Sequence, residues 1–508
     1  MYKFYYPLGR PMPQSSQEQS LERVEQCFRE HGGQITRENI EPLIRACQLP
    51  LYWKAPLFIA AGGEKLGHLT EEQFIDYWNR LISSCHDSYS RFVRILNRGL
   101  RSYLLPEDFL ALIQDVVDTH PGLTFLKEAT EFHSRYVHTV IARIYYCVNR
   151  SWSGKITIPE LRRSNLLQVI SYLEEEEDIN KITDYFSYEH FYVIYCKFWE
   201  LDTDHDLFID RNDLAKHNDR ALSDKIIDRI FSGAVTRGRA HKQDRMGYQE
   251  FVWFLISEED KRHPTAIEYW FRCMDLDGDG YLSMYELEYF YEDQLQRMEA
   301  LGIETLPFTD CLCQMLDMVR PAEHGRISLS DLKKCRMTPV FFDTFFNFDK
   351  YLDHEQRDPF ASHRLDDEGP EISDWDRYAA VEYELLVAEE GGGDSQDDIC
   401  SPILTSWLWF YNSVSCKETF HLVTVDAVVN IESVLYGDED ELSMGVDNVL
   451  DGSDCDLGVI GSELGVMSGN GGLKKHSNLS ATVPNLALDQ MEVDDDYSDY
   501  ADSDDYQY

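Results

Sequence analysis

The segment from Asp275 to Glu286 carries the clearest chemical pattern in the sequence. Acidic residues stand at its first, third, fifth and twelfth positions, and Gly280 at the sixth position permits the left-handed backbone of a sharp turn. Such a loop directs many oxygen atoms to one point, which suits Ca2+, a hard cation that takes about six to eight oxygen ligands. The predicted ligands are the side chains of Asp275, Asp277, Asp279 and Glu286, the backbone carbonyl of Tyr281 and, through water, Ser283. The pattern therefore predicts an EF-hand calcium loop.

A second acidic segment follows the same spacing but departs from it at two positions. Its predicted ligands, at positions 1, 3, 5, 7, 9 and 12, are Asp202, Asp204, Asp206, the backbone of Phe208, Asp210 and Asp213. Leu207 stands where a glycine is expected, and a left-handed backbone strains a residue that has a Cβ. Asp213 is one methylene shorter than the usual glutamate. Two interpretations stay open: a weak cation site that leans toward Mg2+, or a loop that has kept its shape without its metal.

The apolar frame around these loops recurs along the chain. Around the loop at 275, apolar residues lie four positions before the loop, at position 8 and at position 13: Phe271, Leu282 and Leu287. Similar frames start at residues 28, 62, 97, 149, 202, 239, 275 and 320. A helix-loop-helix unit cannot bury its apolar face alone, so neighbouring units are expected to pair through position 8. For the first three copies, ordinary amphipathic periodicity is an alternative explanation.

Charge separates the copies from one another. The loops at 202 and 275 have acidic residues at positions 1, 3 and 5, whereas the copy that begins at Asn149 retains Gly154 and Glu160 but has lost its charge.

The predicted fold is mainly α, an array of paired EF-hand-like helix-loop-helix units with short loop-pairing strands, followed by a disordered acidic tail. The predicted segments are an extended N-terminal stretch (1–15), a helical domain with degenerate units (16–180), an EF-hand domain (181–390) and the tail (391–508).

The charge balance narrows the possible partners. The chain has 47 basic and 92 acidic residues, a formal net charge of −45, so nucleic acid is not an expected partner. The tail, with 24 acidic and 3 basic residues, repels itself and is expected to be disordered. Its apolar run is shorter than the roughly 20 residues of a membrane helix.

No export signal or paired cysteine motif is evident, which predicts an intracellular location in the cytoplasm, with the nucleus left open. No catalytic motif is evident, so the chain is not expected to be an enzyme.

Several long strings in the sequence resemble one known family, the B-double-prime regulatory subunits of protein phosphatase 2A. The strings are Phe4-Tyr5-Tyr6-Pro7, Gly9-Arg10-Pro11, Phe198-Trp199-Glu200-Leu201-Asp202, the loop 275–286, Phe345-Phe346-Asn347-Phe348-Asp349-Lys350-Tyr351, Asp374-Trp375-Asp376-Arg377-Tyr378-Ala379-Ala380 and Glu382-Tyr383. The resemblance covers about residues 1–390 and leaves the acidic tail outside it.

The resemblance implies a non-catalytic role. A subunit of this kind binds the helical-repeat scaffold subunit and the catalytic subunit, and it directs dephosphorylation of serine and threonine in phosphoprotein substrates, with calcium modulating assembly. Within the family pattern, 275–286 matches the regular calcium loop and 202–213 the irregular one, including its non-glycine sixth position. The alternative is a free-standing EF-hand calcium sensor or adaptor that is unrelated to a phosphatase.

Overall fold

The computed structural model describes residues 6–11, 13–236, 244–356 and 372–391. Helices dominate these ranges, and the strands occur in antiparallel pairs. The mainly α fold is thus confirmed, whereas the predicted disorder of residues 392–508 and the residues Phe4 and Tyr5 lie outside the described parts of the chain. No helix within the described parts is both long and apolar enough to cross a bilayer.

The elements follow one another as helices interrupted by short loop strands. The α-helices are α1 (Gln14–Glu30), α2 (Glu41–Ala46), α3 (Lys54–Ala60), α4 (Gly63–Leu66), α5 (Glu71–Ser84), α6 (Ser88–Leu96), α7 (Leu110–Thr119), α8 (Thr130–Val148), α9 (Ile158–Arg163), α10 (Leu166–Tyr172), α11 (Tyr188–Leu201), α12 (Arg211–Leu214), α13 (Asp224–Phe231), α14 (Tyr248–Glu259), α15 (Pro264–Met274), α16 (Met284–Ala300), α17 (Phe308–Val319), α18 (Leu329–Lys334), α19 (Thr338–Phe346), α20 (Phe348–Gln356) and α21 (Asp374–Gly391). The strands are β1 (Gln34–Thr36), β2 (His68–Thr70), β3 (Tyr103–Leu104), β4 (Ile156–Thr157), β5 (Tyr281–Ser283) and β6 (Arg326–Ser328). Short 3-10 helices lie at Leu51–Trp53, Pro106–Phe109, Pro121–Glu128, Ile179–Lys181 and His217–Arg220.

The loops pair two by two at the residues that the repeat predicts. Strand β1 pairs with β2, β3 with β4 and β5 with β6, and the loops at 202 and 239 meet through an isolated bridge. The opposed position-8 residues are Ile35 and Leu69, Leu104 and Ile156, Ile209 and Met246, and Leu282 and Ile327. All of these side chains are buried. The pairing of all eight units, including the first three, is therefore confirmed.

Aromatic side chains form much of the core between the paired units. One stripe on α11 packs inward, and its last buried ring, that of Phe198, lies 5.2 Å from the ring of Tyr248 and 5.4 Å from that of Phe251. On α14, the indole Nε1 of Trp253 donates to the carbonyl of Ala142 on α8 at 3.1 Å. One apolar cluster thus extends on both sides of the predicted boundary at residue 180. The boundary itself stays a prediction.

A buried ionic network joins the end of α14 to α19 and α20. The ammonium group of Lys261 lies 2.6 Å from a carboxylate oxygen of Glu258 and 2.9 Å from one of Asp343. Lys350 reaches Glu258 at 3.1 Å and Glu259 at 3.0 Å. Burial alone would favour neutral carboxyl groups, but the two ammonium groups hold the pKa values of Glu258 and Asp343 below their usual range. The network therefore depends on each charge keeping its partner.

Helix α21, the last helix in the described part of the chain, packs along α11. The indole Nε1 of Trp375 donates to Nδ1 of His190 at 3.2 Å, and the buried guanidinium of Arg143 donates to the same nitrogen at 2.9 Å. Because Nδ1 accepts both bonds, the proton of the neutral ring lies on Nε2, which faces Asp376 at 3.6 Å. Burial and the charge of Arg143 hold the pKa of His190 well below its usual range. The helix that leads into the loop at 202 is thus joined to both α8 and α21 through His190.

Lys261→Met should destabilise the fold strongly. The substitution leaves the buried Asp343 without its lysine and Glu258 with one of its two ammonium partners, a change that costs about 3–5 kcal/mol in the free energy of unfolding. Denaturant unfolding of the full chain measures this loss. The matched control is Lys181→Met, which removes an ion pair with Glu176 from a lysine that is 63% exposed, and its stability should not differ measurably from that of the native chain. Equal stability of the two variants would contradict the importance of the network.

Asp260→Asn should change how stability depends on pH. Burial, together with the neighbouring carboxylate of Asp374, raises the pKa of Asp260 from 3.8 to about 6. The folded chain binds this proton more tightly than the unfolded chain, so the associated stability is present below about pH 4 and is lost as the pH rises through about 6. The asparagine oxygen can still accept from the backbone N–H groups of Arg262 and His263. The variant should therefore gain about 1–3 kcal/mol over the native chain between pH 4 and pH 7.

Unfolding free energies measured at several pH values across this interval test the expectation. The exposed Asp219 provides the control, since Asp219→Asn should give a stability profile parallel to that of the native chain. A parallel profile for Asp260→Asn as well would contradict the assignment of this pH dependence to Asp260.

Candidate calcium site

The loop 275–286 connects α15 to α16 and gathers carboxylates at its centre. Single carboxylate oxygens of Asp275, Asp277 and Glu286 all lie within 4.8 Å of one another. Two backbone N–H groups hold the first of these residues, because Gly278 and Gly280 donate to the two oxygens of Asp275 at 2.8 and 3.0 Å. The loop backbone thus orients the carboxylate at position 1 toward the other two.

Glu286 is held from two sides. Ser283, which precedes α16, donates to Oε2 of Glu286 from its backbone N at 2.7 Å and from its hydroxyl at 2.8 Å. Leu276 donates its backbone N–H to Oε1 at 2.6 Å. The hydroxyl of Ser283 in turn accepts from the N–H of Glu286 at 3.4 Å, which completes a capping box at the start of α16. The residue at position 12 is therefore both a predicted ligand and part of the helix cap.

The remaining predicted ligands lie around this centre in different roles. The carboxylate of Asp279 accepts from the backbone N–H of Tyr281 at 2.8 Å and is not among the three that converge. The ring of Tyr281 takes no part, since its hydroxyl bonds to Glu323 at 3.2 Å and the guanidinium of Arg326 lies 4.0 Å from its centroid. Only the backbone carbonyl of this residue can serve, as the sequence predicts.

Electrostatics show that the cluster favours a cation. Burial raises the pKa of Asp275, and the negative charges of Glu286 and Asp279 raise it further, whereas the N–H groups of Gly280 and Gly278 act in the opposite direction. A divalent cation would relieve this repulsion, and every donor in the set is an oxygen, the ligand type that Ca2+ prefers. The residues present therefore fit calcium.

Two basic residues on α13 fasten both helices that flank this loop. Arg229 donates to the backbone carbonyl of Cys273 at 2.8 Å and to that of Asp275 at 2.8 Å. Lys225 donates to the carbonyl of Tyr289 on α16 at 2.7 Å. Sequence reasoning missed both residues. Their four-residue spacing on an otherwise isoleucine-rich helix was the available signal, but it did not indicate which carbonyls they would reach.

The loop at 202 gathers its first three acids but not the last. Carboxylate oxygens of Asp202, Asp204 and Asp206 lie within 4.8 Å of one another. The carboxylate of Asp213 instead bonds to the ammonium group of Lys216 at 2.9 Å. Arg245 adds a second positive charge at the site, 3.3 Å from Asp206. The structure therefore brings together three of the predicted side-chain ligands and leaves the shorter position-12 residue paired with a lysine.

The backbone of this loop has the strain that the sequence predicts. Leu207 has a φ of +69° at position 6, where Gly280 in the other loop has +82°, and His205 has +59°. A left-handed conformation costs about 1–2 kcal/mol for a residue with a Cβ. Asp210 acts mainly as the cap of α12: burial opposes its ionisation, but N–H groups of Asp213 and Asn212 lower its pKa. These features agree with a weaker cation site.

Exchanging the position-12 residues should move the two affinities in opposite directions. Glu286→Asp shortens the bidentate ligand, and Asp213→Glu lengthens its counterpart by the methylene that it lacks. We expect the first change to weaken calcium binding and the second to strengthen it, each by about tenfold, since ligand reach and charge tune EF-hand affinity over such ranges. Calorimetric titration of the full chain measures both affinities. The control is Asp317→Glu at an exposed position outside the loops, which should change neither.

A failure of Asp213→Glu to tighten binding, with Glu286→Asp weakening it as expected, would contradict the view that ligand reach limits the loop at 202. The strained backbone at Leu207 would then be the limiting feature.

Comparison with family models places EF-hand character along most of the described chain. A model described as "EF-hand domain" matches residues 87–176, one described as "P2R3B, EF-hand" matches 23–81, and one described as "EF-hand domain pair" matches 191–292. The last of these spans both acidic loops. EF-hand domains bind calcium as a class, which agrees with the donor set at 275–286.

Curated relatives of high identity are regulatory components of serine/threonine-protein phosphatase 2A. The human B'' alpha regulatory subunit of this phosphatase is 64% identical over 391 residues, which are 76% of this chain and 34% of the relative. The human B'' beta relative is 54% identical over 444 residues, 86% of this chain and 77% of the relative. The mouse B'' delta relative is 55% identical over 398 residues, 78% of this chain and 81% of the relative. This chain thus spans about a third of the alpha relative and most of the other two.

A solved structure is also similar. It is described as a PP2A PR70 holoenzyme, with the label diCa, and one of its chains is 70% identical to this protein with a TM-score of 0.51. The match covers 53% of this chain and 99% of that chain. All three curated relatives are named as regulatory subunits, which confirms the prediction that the chain is not an enzyme.

Proposed function

Because this chain belongs to the B'' family of regulatory subunits of serine/threonine-protein phosphatase 2A, we propose that it binds the scaffold and catalytic subunits of that phosphatase. In that assembly it directs the dephosphorylation of serine and threonine in phosphoprotein substrates. The observation that carries the proposal is identity of more than half the aligned residues over most of both chains for two relatives. A similar chain in a structure described as a PP2A holoenzyme supports it.

Calcium, in this proposal, modulates assembly through the loop 275–286. When bound, the cation neutralises the clustered carboxylates of Asp275, Asp277 and Glu286. The chain's own residues carry the effect outward: Glu286 belongs to the first turn of α16, and the carbonyl of Asp275 accepts from Arg229 on α13. Three helices therefore share one rigid connection at the loop. Filling it restricts the movement of α15, α16 and α13 relative to one another.

Such a site acts as a stiffener of a docking surface rather than as a calcium buffer. Only the loops at 202 and 275, among eight related units, carry acidic residues at positions 1, 3 and 5. A surface that has already lost conformational freedom on metal binding loses less entropy when a partner docks. Because this coupling is reciprocal, the partner also tightens metal binding. We place this activity in the cytoplasm and leave the nucleus open.

Reconstitution with purified scaffold and catalytic subunits tests the proposal. The native chain should join the phosphatase core, and calcium should tighten the assembly by about fivefold or more relative to chelator. Glu286→Gln should lose this increment because it removes a charge at the centre of the loop. The matched control is Glu299→Gln, an exposed position on the same helix, which should keep the calcium effect. Affinity is measured by titrating the labelled chain with the preformed core.

The outcomes separate the two parts of the proposal. A native chain that fails to join the core in calcium and in chelator would reject the regulatory role. Assembly of equal strength in both conditions, unchanged by Glu286→Gln, would reject calcium modulation and leave the regulatory role standing.

A further inference from the structure

The loop 149–160 has the backbone of a calcium loop but no acidic residue at positions 1, 3 and 5. Gly154 at position 6 has a φ of +71°, and its N–H donates to Oδ1 of Asn149 at 2.9 Å. The corresponding bond in the calcium loop runs from Gly280 to Asp275 at 3.0 Å. Position 12 also matches. Glu160 accepts hydrogen bonds from the backbone N–H and the hydroxyl of Thr157, as Glu286 does from those of Ser283. The two loops thus share their shape and differ at the centre.

The amide nitrogen of Asn149 occupies that centre. Nδ2 lies within hydrogen-bonding distance of the hydroxyl oxygens of Ser151 (3.2 Å) and Ser153 (3.3 Å). It also reaches the carbonyl of Lys155 at 3.0 Å and a carboxylate oxygen of Glu160 at 3.1 Å. These four oxygens belong to positions 3, 5, 7 and 12, which are ligand positions of an EF-hand loop. The two N–H groups of one amide therefore meet the oxygens that a cation would otherwise collect.

The hydrogen-bond network fixes the orientation of this amide. The partners of Nδ2 include a carbonyl and a carboxylate, which can only accept, and the partner of Oδ1 is the backbone N–H of Gly154, which can only donate. If the amide oxygen and nitrogen were exchanged, the amide oxygen would face two acceptors and the amide nitrogen would face a donor, so three hydrogen bonds would be lost. Asn149 is fully buried, so water does not compete for these bonds.

The paired loop, 97–108, uses the same device with an added charge. The amide of Asn97, also buried, donates to the position-7 carbonyl of Tyr103 at 3.1 Å and to the carbonyl of Arg101 at 2.7 Å. The guanidinium of Arg101, at position 5, lies 2.7 and 2.8 Å from the two oxygens of Asp108 at position 12. Here a side-chain cation satisfies the position-12 carboxylate.

We propose that side-chain N–H groups replace calcium in this pair of loops. The amide of Asn149 does so in one loop, and the amide of Asn97 together with the guanidinium of Arg101 does so in the other. The pair consequently holds the shape of a metal-filled EF-hand at any calcium concentration. Among the loops that the structure describes, the calcium response is confined to those at 202 and 275, and the region around α6 to α9 supplies a surface that does not change with calcium.

Two variants that differ only at Asn149 test the proposal. Ser151→Asp with Ser153→Asp adds acidic charge but keeps the central amide. The triple variant, which adds Asn149→Asp, has the acids of the 275 loop at positions 1, 3 and 5. Equilibrium dialysis of the full chain against calcium should find one more bound ion than in the native chain for the triple variant and no additional ion for the double variant. One additional ion in both variants would overturn the proposal, because acidity alone would then suffice. No additional ion in either would overturn it as well, because removing the amide would then not open the loop to calcium.

A third variant tests the native loop directly and does not depend on the others folding. Glu160→Gln should leave the number of calcium ions bound by the native chain unchanged. The loss of one ion would show that the loop holds a metal, and the proposal would be wrong. Thermal unfolding supplies a second readout: Asn149→Ala should lower the melting temperature equally in calcium and in chelator. Destabilisation found only in calcium would overturn the proposal. Neither measurement involves the phosphatase, so the result is independent of the proposed function.

Discussion

Backbone pairing between the position-8 residues of two neighbouring loops is the interaction on which the structure depends. At the loops of 202 and 239, Ile209 and Met246 exchange both N–H and carbonyl bonds at 2.9 Å, and their side chains are buried. A single loop would leave these polar groups unsatisfied next to an apolar core, which is costly. The pairing therefore makes the two-loop unit, rather than the single loop, the smallest part that can fold. It also places each acidic loop beside a partner that holds its backbone from one side.

The acid at position 12 shows how a ligand position can persist without a metal. Glu160, Glu250 and Asp331 each accept from the backbone N–H of the position-9 residue, and these bonds start the helices α9, α14 and α18. Glu286 makes the same bond in the calcium loop. The position-12 acid thus caps a helix, a contribution of about 1 kcal/mol, whether or not calcium binds. Its presence alone does not predict a metal site; the groups at the centre of the loop decide that.

Local spacing accounts for what the sequence could predict. The apolar offsets identified all four loop pairs, and the acid spacing identified the converging carboxylates of Asp275, Asp277 and Glu286. Leu207 was predicted to be strained, and its positive φ agrees. Contacts between residues far apart in sequence were not predictable in the same way. Arg229 reaches the calcium loop from 46 residues away, and Asn347 donates to the buried carboxylate of Glu258 across 89 residues. The packing of α21 against α11 is a contact of the same kind.

The difference between the two halves of the chain follows from how each loop satisfies its inward-facing oxygens. In the loop at 275, burial raises the pKa of Asp275, and repulsion from the carboxylates of Glu286 and Asp279 raises it further. In the loop at 202, Lys216 and Arg245 already compensate part of the negative charge, so a cation has less repulsion to relieve there. In the loop at 149, a neutral amide contributes N–H groups and leaves nothing for a cation to neutralise except Glu160. Calcium sensitivity should therefore be lowest in the loop at 149, higher in the loop at 202 and highest in the loop at 275. Helix α13 lies between the last two loops in sequence and bonds to the loop at 275, so it is the element best placed to transmit the effect of calcium.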